Sequence, residues 1–353
     1  MSLLRLPPEI LVQIFDQIDP SFFHEDIRRL TICKQWLEFV LPVCLKCVKL
    51  SQETLRSLMV SRAIERSSTL IRSVETLDLE LRGYPSYISS FYLQENTEKL
   101  DDFAAPVSNE TPNDISVETW VKSMGNNLSR LAVIAQQSRR LHTLRIRARN
   151  SPSPEILENP VDYLSLPTMQ SFLQLDNLSN LVLDLNTNFL DSRVDQRNGL
   201  HICPAIGALL GTLRTLHLRM RSICPDVLTA RDSNDNLNLR VVVINLSLIT
   251  NQPGITAAVH SERCGSGVGQ LQLRADIKEQ AEALVTRMAS PKTIRILTHS
   301  LPSFQIRSFD ILTGNTMTLN DGAAWDEDGR TVVEDSEPDS DFSGDSILDF
   351  EGD

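Results

Sequence analysis

Apolar and polar positions follow two different periods along this chain. Between Leu6 and Leu50 the apolar residues recur at helical spacing, and after Leu50 helical stretches alternate with short stretches in which every second residue is apolar. Helices that alternate with strands are typical of α/β proteins with parallel sheets. The pattern therefore predicts a helical N-terminal segment followed by a larger α/β domain.

The N-terminal segment is predicted to hold three helices. The first begins at Pro7 and Pro8, because proline fits the first turn of a helix. A second short helix is expected around His24 to Thr31, and a third carries Trp36 and ends before Pro42. Three helices in about 45 residues enclose only a small core. Part of their apolar surface is therefore expected to contact another protein. The apolar face of the first helix consists of Ile10, Leu11, Ile14, Phe15 and Ile18.

An ordered set of residues in this segment resembles a known module. The set is Leu6-Pro7-Pro8-Glu9-Ile10, Ile14-Phe15, Asp26-Ile27, Ile32-Cys33-Lys34-Gln35-Trp36 and Val48-Lys49-Leu50. It is similar to the F-box, of fungal type, which docks substrate receptors onto the adaptor of SCF-type ubiquitin ligases. Asp26-Ile27 departs from the usual Asp-Leu, and the residues from Pro20 to Glu25 lengthen the connection before it. The alternative is an ordinary helical hairpin whose aromatic residues only fill a core.

The resemblance implies partners and contact residues for the segment 1–50. A Skp-type adaptor, and through it cullin and RING subunits, are the expected partners. The residues expected at the adaptor contact are Leu6, Pro7, Ile10, Leu11 and Ile14, whereas Phe15 and Trp36 are expected mainly to pack the module.

The pattern L-x-x-L-x-L occurs five times in the segment 51–320. It resembles the leucine-rich repeat, in which each unit adds one strand to a curved sheet. The second positions of the pattern are 67, 37, 35 and 26 residues apart, whereas regular repeats recur every 20–29 residues. We therefore expect an irregular α/β solenoid with a long loop over 84–115. The alternative is an α/β domain with buried parallel strands. The five units are Val74/Leu77/Leu79, Leu141/Leu144/Ile146, Leu178/Leu181/Leu183, Leu213/Leu216/Leu218 and Leu239/Val242/Ile244.

The C-terminal end of this domain is predicted to close with a hairpin. Phe304 to Leu319 contains two alternating stretches separated by Thr313-Gly314-Asn315, a sequence typical of a turn. A hairpin in this place can cap the open end of a solenoid.

Charge is concentrated at the C-terminus. The segment 321–353 contains 13 acidic residues and one basic residue, Arg330, and carries the whole net charge of −12. The remaining 320 residues hold 33 acidic and 33 basic residues. The sequence predicts a disordered acidic tail over 321–353. A nucleic-acid partner is not expected, because it requires a net basic surface.

No part of the sequence predicts a catalytic site. The six histidines are isolated from any nucleophile, and Gly265–Gly269 lacks the Lys-Ser/Thr of a phosphate loop. Only Cys44 and Cys47 form a C-x-x-C pair, and the second ligand pair of a zinc site is missing, so free thiols are expected. We expect no enzyme activity, no cofactor and no metal. Neither a signal peptide nor an apolar run of membrane-spanning length is evident, which favours cytoplasm or nucleus and no membrane partner.

These observations predict a non-catalytic substrate-recognition subunit of an SCF-type ubiquitin ligase. The repeat domain is expected to bind an unknown protein substrate through the loops 84–115 and 191–198 and through strand residues that suit an acidic or phosphorylated target. The alternative is an F-box scaffold or regulator that acts outside a ligase. A hydrolase hidden in the α/β region is more remote. The strand residues proposed for substrate contact are Arg145, Arg147, Arg219 and Arg221.

Overall fold

The structure is a computed structural model of the 353-residue chain. It describes residues 6–62, 72–83, 117–149, 163–185, 190, 201–231, 236–249, 256–261, 269–300, 304–320, 324, 326 and 330–331. The predicted loops 84–115 and 191–198 lie outside these residues. Within the described ranges, no helix combines the length and the apolar character needed to cross a membrane.

The N-terminal segment contains three α-helices and one 3-10 turn: α1 (Pro8–Asp16), α2 (Ser21–Glu25), the 3-10 turn Ile27–Leu30 and α3 (Lys34–Cys44). The start of the first helix is confirmed. The predicted second helix is divided, because Asp26 is extended and its carboxylate accepts a 2.9 Å hydrogen bond from the Arg28 N–H. The prediction that Pro42 ends the third helix is wrong. Pro42 lies near the C-terminal end of α3, where its missing N–H removes only the helical hydrogen bond to the Glu38 carbonyl, and Glu38 is exposed to water.

The remaining strands and helices alternate along the chain. The helices are α4 (Gln52–Ser61), α5 (Val117–Gln136), α6 (Leu166–Leu173), α7 (Cys203–Gly207) and α8 (Gln270–Val285). The strands are β1 (Cys47–Ser51), β2 (Thr76–Arg82), β3 (Thr143–Arg149), β4 (Asn180–Leu185), β5 (Thr215–Met220), β6 (Ser222–Ile223), β7 (Val241–Asn245), β8 (Val259–His260), β9 (Thr293–Ser300), β10 (Gln305–Asp310), β11 (Thr316–Thr318) and β12 (Arg330–Thr331).

Ten of these strands form one sheet in the order β1-β2-β3-β4-β5-β7-β9-β10-β11-β12. The first seven run parallel, and the last three are added antiparallel. The short strands β6 and β8 form a separate parallel pair. The chain is therefore a mixed α/β protein with a large, mostly parallel sheet.

The L-x-x-L-x-L pattern builds the core of this domain. In the sheet register, the second leucine position of each unit lies beside that of the next, and the third position does the same. The five helices that follow α3 bury their apolar side chains against the same face, in one continuous core. The buried rows are Leu77, Leu144, Leu181, Leu216 and Val242, and Leu79, Ile146, Leu183, Leu218 and Ile244.

The opposite face of the sheet carries polar side chains, because neighbouring residues of a strand point to opposite faces. Asp78 and Glu80 of β2, Arg145 and Arg147 of β3, and Asp184 of β4 take these positions. The polar face is the surface on which substrate contact was predicted.

The last strands agree with the predicted hairpin. Strands β10 and β11 pair antiparallel, and Gly314 takes the left-handed backbone conformation (φ 73°) in the turn. Strand β12 pairs with β11, so Arg330 and Thr331 of the predicted acidic tail belong to the sheet.

Candidate functional site

The N-terminal module has a small core of its own. Phe15 is fully buried there, and its ring meets the Trp36 ring edge-on at 4.9 Å between centroids. The Trp36 Nε1–H donates a 2.6 Å hydrogen bond to the carbonyl of Arg29, which fixes the indole between α3 and the 3-10 turn. Phe15 and Trp36 therefore pack the module, as the sequence predicts. The other buried members of this core are Leu11, Phe23, Leu30, Val40 and Val43.

Polar contacts tie the helices of the module together. His24 Nε2 lies 2.8 Å from the Cys44 carbonyl oxygen, which links α2 to the end of α3. Lys46 Nζ lies 2.7 Å from a carboxylate oxygen of Asp16, which links α1 to the residues before β1. The last residues of the predicted segment 1–50 belong to β1, and Leu50 is buried in the core of the sheet domain.

The first helix presents an exposed apolar stripe beside its buried face. Ile10 is 41% exposed, Ile14 is half-buried, and Leu6 before the helix is 39% exposed. Ile10 and Ile14 are four residues apart in α1, which keeps their side chains on one side of the helix, and Leu6 lies just before its start. Pro7, also exposed, lies at the start of this stripe.

Leu11 does not belong to the stripe. Its side chain is 0% exposed, since it points into the module core with Phe15. Leu11 is predicted from the sequence as an adaptor contact, but in the structure its side chain is not accessible to a partner. Four of the five predicted contact residues remain at the surface.

Exposed apolar side chains are concentrated in this module. Of the eleven large apolar side chains that are exposed among the described residues, five lie between residues 6 and 32. Single exposed apolar residues are ordinary on a protein surface, whereas groups of them mark contact sites. The five are Leu6, Ile10, Val12, Phe22 and Ile32.

The predicted substrate arginines divide into two groups. Arg147 donates to both carboxylate oxygens of Asp78 at 3.0 and 2.8 Å, and Arg219 donates to both oxygens of Asp184 at 2.7 and 2.6 Å. These two arginines hold the polar face together. Arg145 is exposed, Arg147 and Arg221 are half-buried, and Arg219 is buried, so Arg145 is the most accessible of the four. For Arg219 the sequence signal was Asp184, at the equivalent position of the neighbouring repeat, whereas Asp78 lies at the position equivalent to Arg145 and gave no such signal for Arg147.

One residue of the acidic segment lies on the polar face. Asp326 Oδ2 is 2.9 Å from His217 Nδ1, and the Asp326 carbonyl accepts a 3.1 Å hydrogen bond from Arg295. The hydrogen bond with His217 is the main cause that lowers the pKa of Asp326 below its ordinary value. Asp326 thus contacts β5 through its side chain and β9 through its backbone carbonyl.

The cysteines fall into two environments. Burial raises the pKa of the Cys44 and Cys47 thiols, which disfavours the reactive thiolate. Cys203 and Cys224 are buried and lie beside His201, a grouping that could hold a metal ion. This grouping was not predictable from the sequence, because the segments His201-Ile202-Cys203 and Cys224-Pro225-Asp226 do not follow a common zinc spacing.

Comparisons with known protein-family models and with curated proteins find no match to this chain.

Proposed function

We propose that this chain is a non-catalytic substrate receptor of an SCF-type ubiquitin ligase. Its N-terminal module acts as an F-box and binds a Skp-type adaptor, which connects the chain to cullin and RING subunits. The sheet domain is an irregular leucine-rich-repeat-like solenoid that binds the protein substrate.

The exposed stripe of Leu6, Ile10 and Ile14 carries this proposal. These side chains lie outside the module core although the core is small, so they add little to folding. A partner helix or groove that covers them removes apolar surface from water, at about 25 cal/mol per Å². Interfaces of this kind depend on a few apolar anchors, each contributing about 2 kcal/mol or more.

The order of the parallel strands supports the solenoid part of the proposal. Each strand from β1 to β5 pairs with the next in the sequence, and the buried rows continue from one unit to the next. This is the arrangement expected when each repeat contacts only its neighbours. The polar face that results offers a wide surface to a protein partner.

The proposed role needs no catalytic residue on this chain. A receptor increases the rate of ubiquitin transfer by holding the substrate lysine close to the charged conjugating enzyme. The N-terminal module that binds the adaptor and the face that binds the substrate must then keep a fixed distance and orientation relative to each other. The direct passage from α3 into β1 suits this need, because no linker separates the module from the sheet.

A matched pair of substitutions tests the adaptor contact. We expect the purified full chain to bind a purified Skp-type adaptor with sub-micromolar affinity, and Ile10→Asp to weaken binding at least tenfold, or about 1.4 kcal/mol. Val12→Asp is the control, because Val12 is equally exposed, at 43%, but lies on the other side of α1. Titration calorimetry measures both, and circular dichroism shows whether each variant is folded.

Two results oppose the proposal. If the wild-type chain is folded but does not bind the adaptor, the F-box interpretation is wrong. Equal losses in Ile10→Asp and Val12→Asp show that binding, where it occurs, does not use the stripe.

A further inference from the structure

Three potential metal ligands meet, with a fourth beside one of them, where α7 packs against the 3-10 turn Pro225–Leu228. The Nε2 atom of His201 and the Sγ atoms of Cys203 and Cys224 all lie within 4.8 Å of one another. His201 Nε2 is 3.2 Å from Cys224 Sγ and 3.5 Å from a carboxylate oxygen of Asp226. The four groups come from two segments of the form ligand-x-ligand.

The spacing of these atoms is close to that of a tetrahedral zinc site. Zinc bonds of roughly 2.3 Å to sulfur and 2.0–2.1 Å to nitrogen place neighbouring ligand atoms about 3.5 Å apart at tetrahedral angles. The two separations from His201, 3.2 and 3.5 Å, are near this value. His201, Cys203 and Cys224 need only side-chain rotation to complete their part of the arrangement, since their three pairs already lie within 4.8 Å, and Asp226 approaches from the side of His201.

The backbone holds the two segments firmly. Ile202, between His201 and Cys203, and Val227, next to Asp226, are buried in the core of the sheet domain at 3% and 0% exposure. A Cβ atom on Gly207 of α7 would lie against the carbonyl oxygen of Asp226 and only 2.6 Å from that of Thr229. The close approach of α7 and the turn thus requires glycine, and it sets the distance between the ligand pairs.

The burial of the ligands favours a closed site. Cys203 and Cys224 are each 1% exposed, and the His201 side chain is 12% exposed. The Asp226 side chain, at 49%, reaches the cluster from the solvent side. Four protein ligands leave no open coordination position, which is the property of structural and not of catalytic zinc sites.

We propose that His201, Cys203, Cys224 and Asp226 form a structural Zn²⁺ site. The ion fastens the start of α7 to the 3-10 turn, so it strengthens the helical side of the domain between β4 and β7. Two thiolates and one imidazole select a borderline-soft ion such as Zn²⁺ over Mg²⁺ or Ca²⁺. The site is independent of the adaptor contact.

Metal content and cysteine substitution test the site on the full-length chain. We expect one zinc ion per chain by elemental analysis after purification without chelator. In competition with a chromogenic chelator, Cys203→Ser/Cys224→Ser should lower zinc affinity at least 100-fold. The matched control is Cys44→Ser/Cys47→Ser, which removes the other cysteine pair and should leave affinity and stoichiometry unchanged.

Cobalt substitution keeps the test decisive if the cysteine variant does not fold. The wild-type chain with Co²⁺ should show the visible bands of a tetrahedral ion and the thiolate charge-transfer band of two sulfur ligands. Asp226→Asn changes only the partly exposed ligand and should shift the visible bands without loss of the thiolate band.

Three outcomes overturn the proposal. In the first, the chain takes up no stoichiometric zinc or cobalt. In the second, metal binding is lost in the Cys44/Cys47 variant and kept in the Cys203/Cys224 variant. In the third, mass spectrometry finds a Cys203–Cys224 disulfide in the chain purified under reducing conditions.

Discussion

A buried ion pair sets a strong local constraint on the polar face of the sheet. Asp184 is 0% exposed and Arg219 is 7% exposed, and the two are joined by two short hydrogen bonds between neighbouring strands. A buried pair of this kind contributes little net stability, because both charges lose their hydration. Removal of one partner, however, leaves the other charge uncompensated.

We therefore predict that Asp184→Asn destabilises the sheet domain by about 3–5 kcal/mol. Replacement of both partners, Asp184→Leu with Arg219→Met, should recover most of this loss, since neither charge then remains buried. The free energy of unfolding in urea measures both effects. Glu80→Gln is the control: its side chain is 49% exposed on the same face, and the change should be within about 0.5 kcal/mol. An Asp184→Asn loss as small as that of the control contradicts the account.

The exposed stripe of α1 shows what helical spacing can and cannot predict for single residues. Ile10 and Leu11 both lie on the broad apolar face of α1, yet only Leu11 is buried. The distinction depends on how α3 crosses α1, with Phe15 against Trp36, and this crossing is not encoded in the period of one helix. The spacing located the face correctly, but it could not divide that face between core and partner.

At the scale of the elements, the acidic segment joins the sheet at two points. Strand β12 pairs with β11, and Asp326 contacts His217 of β5. The sequence predicted disorder for this segment, because its composition is acidic and poor in apolar residues. Amino-acid composition describes the segment as a whole, so it cannot predict that the carboxylate of a single residue, Asp326, contacts His217.

The docking of Asp326 should depend on pH. Its pKa is lowered in the folded chain, mainly by the hydrogen bond with His217, so the undocked state binds more protons in the acid range. The contribution of the carboxylate is therefore complete above its ordinary pKa of 3.8 and is lost as the pH falls through the lower folded value. We expect Asp326→Asn to expose β12 to proteolysis at pH 7 and to make no difference well below pH 3.8.

Limited proteolysis of wild type and Asp326→Asn at matched pH, with an acid-active protease for the low range, checks this expectation. Thr331→Ser, a conservative change in β12 itself, serves as control. Equal cleavage of wild type and Asp326→Asn at pH 7 would falsify the docking role.

The parallel strands were the most predictable elements. A buried strand needs the same apolar positions in each unit, so L-x-x-L-x-L appears in the sequence and in the register alike. Helix ends were less predictable: α3 continues past Pro42, and the predicted second helix is divided at Asp26. Local capping and packing decide where a helix ends, and the spacing of apolar residues in the sequence does not predict either of them.

At the scale of the whole molecule, the N-terminal module and the sheet domain have separate apolar cores. The core of the sheet domain extends from β1 to β9, whereas the module core contains six buried apolar residues among those that the structure describes. So small a core is marginal on its own, and a partner that covers the α1 stripe stabilises it by mass action. The architecture is therefore that of a small helical module joined directly to a larger sheet domain.

Assembly with cullin tests the central claim most directly, because it separates a ligase receptor from a scaffold that binds the adaptor alone. We would mix the purified chain, a Skp-type adaptor and a cullin–RING complex and measure the mass of the product by size-exclusion chromatography with light scattering. The account predicts one complex that contains all components, and its absence with Ile10→Asp but not with Val12→Asp. A chain that binds the adaptor but never enters the cullin complex would contradict the receptor function.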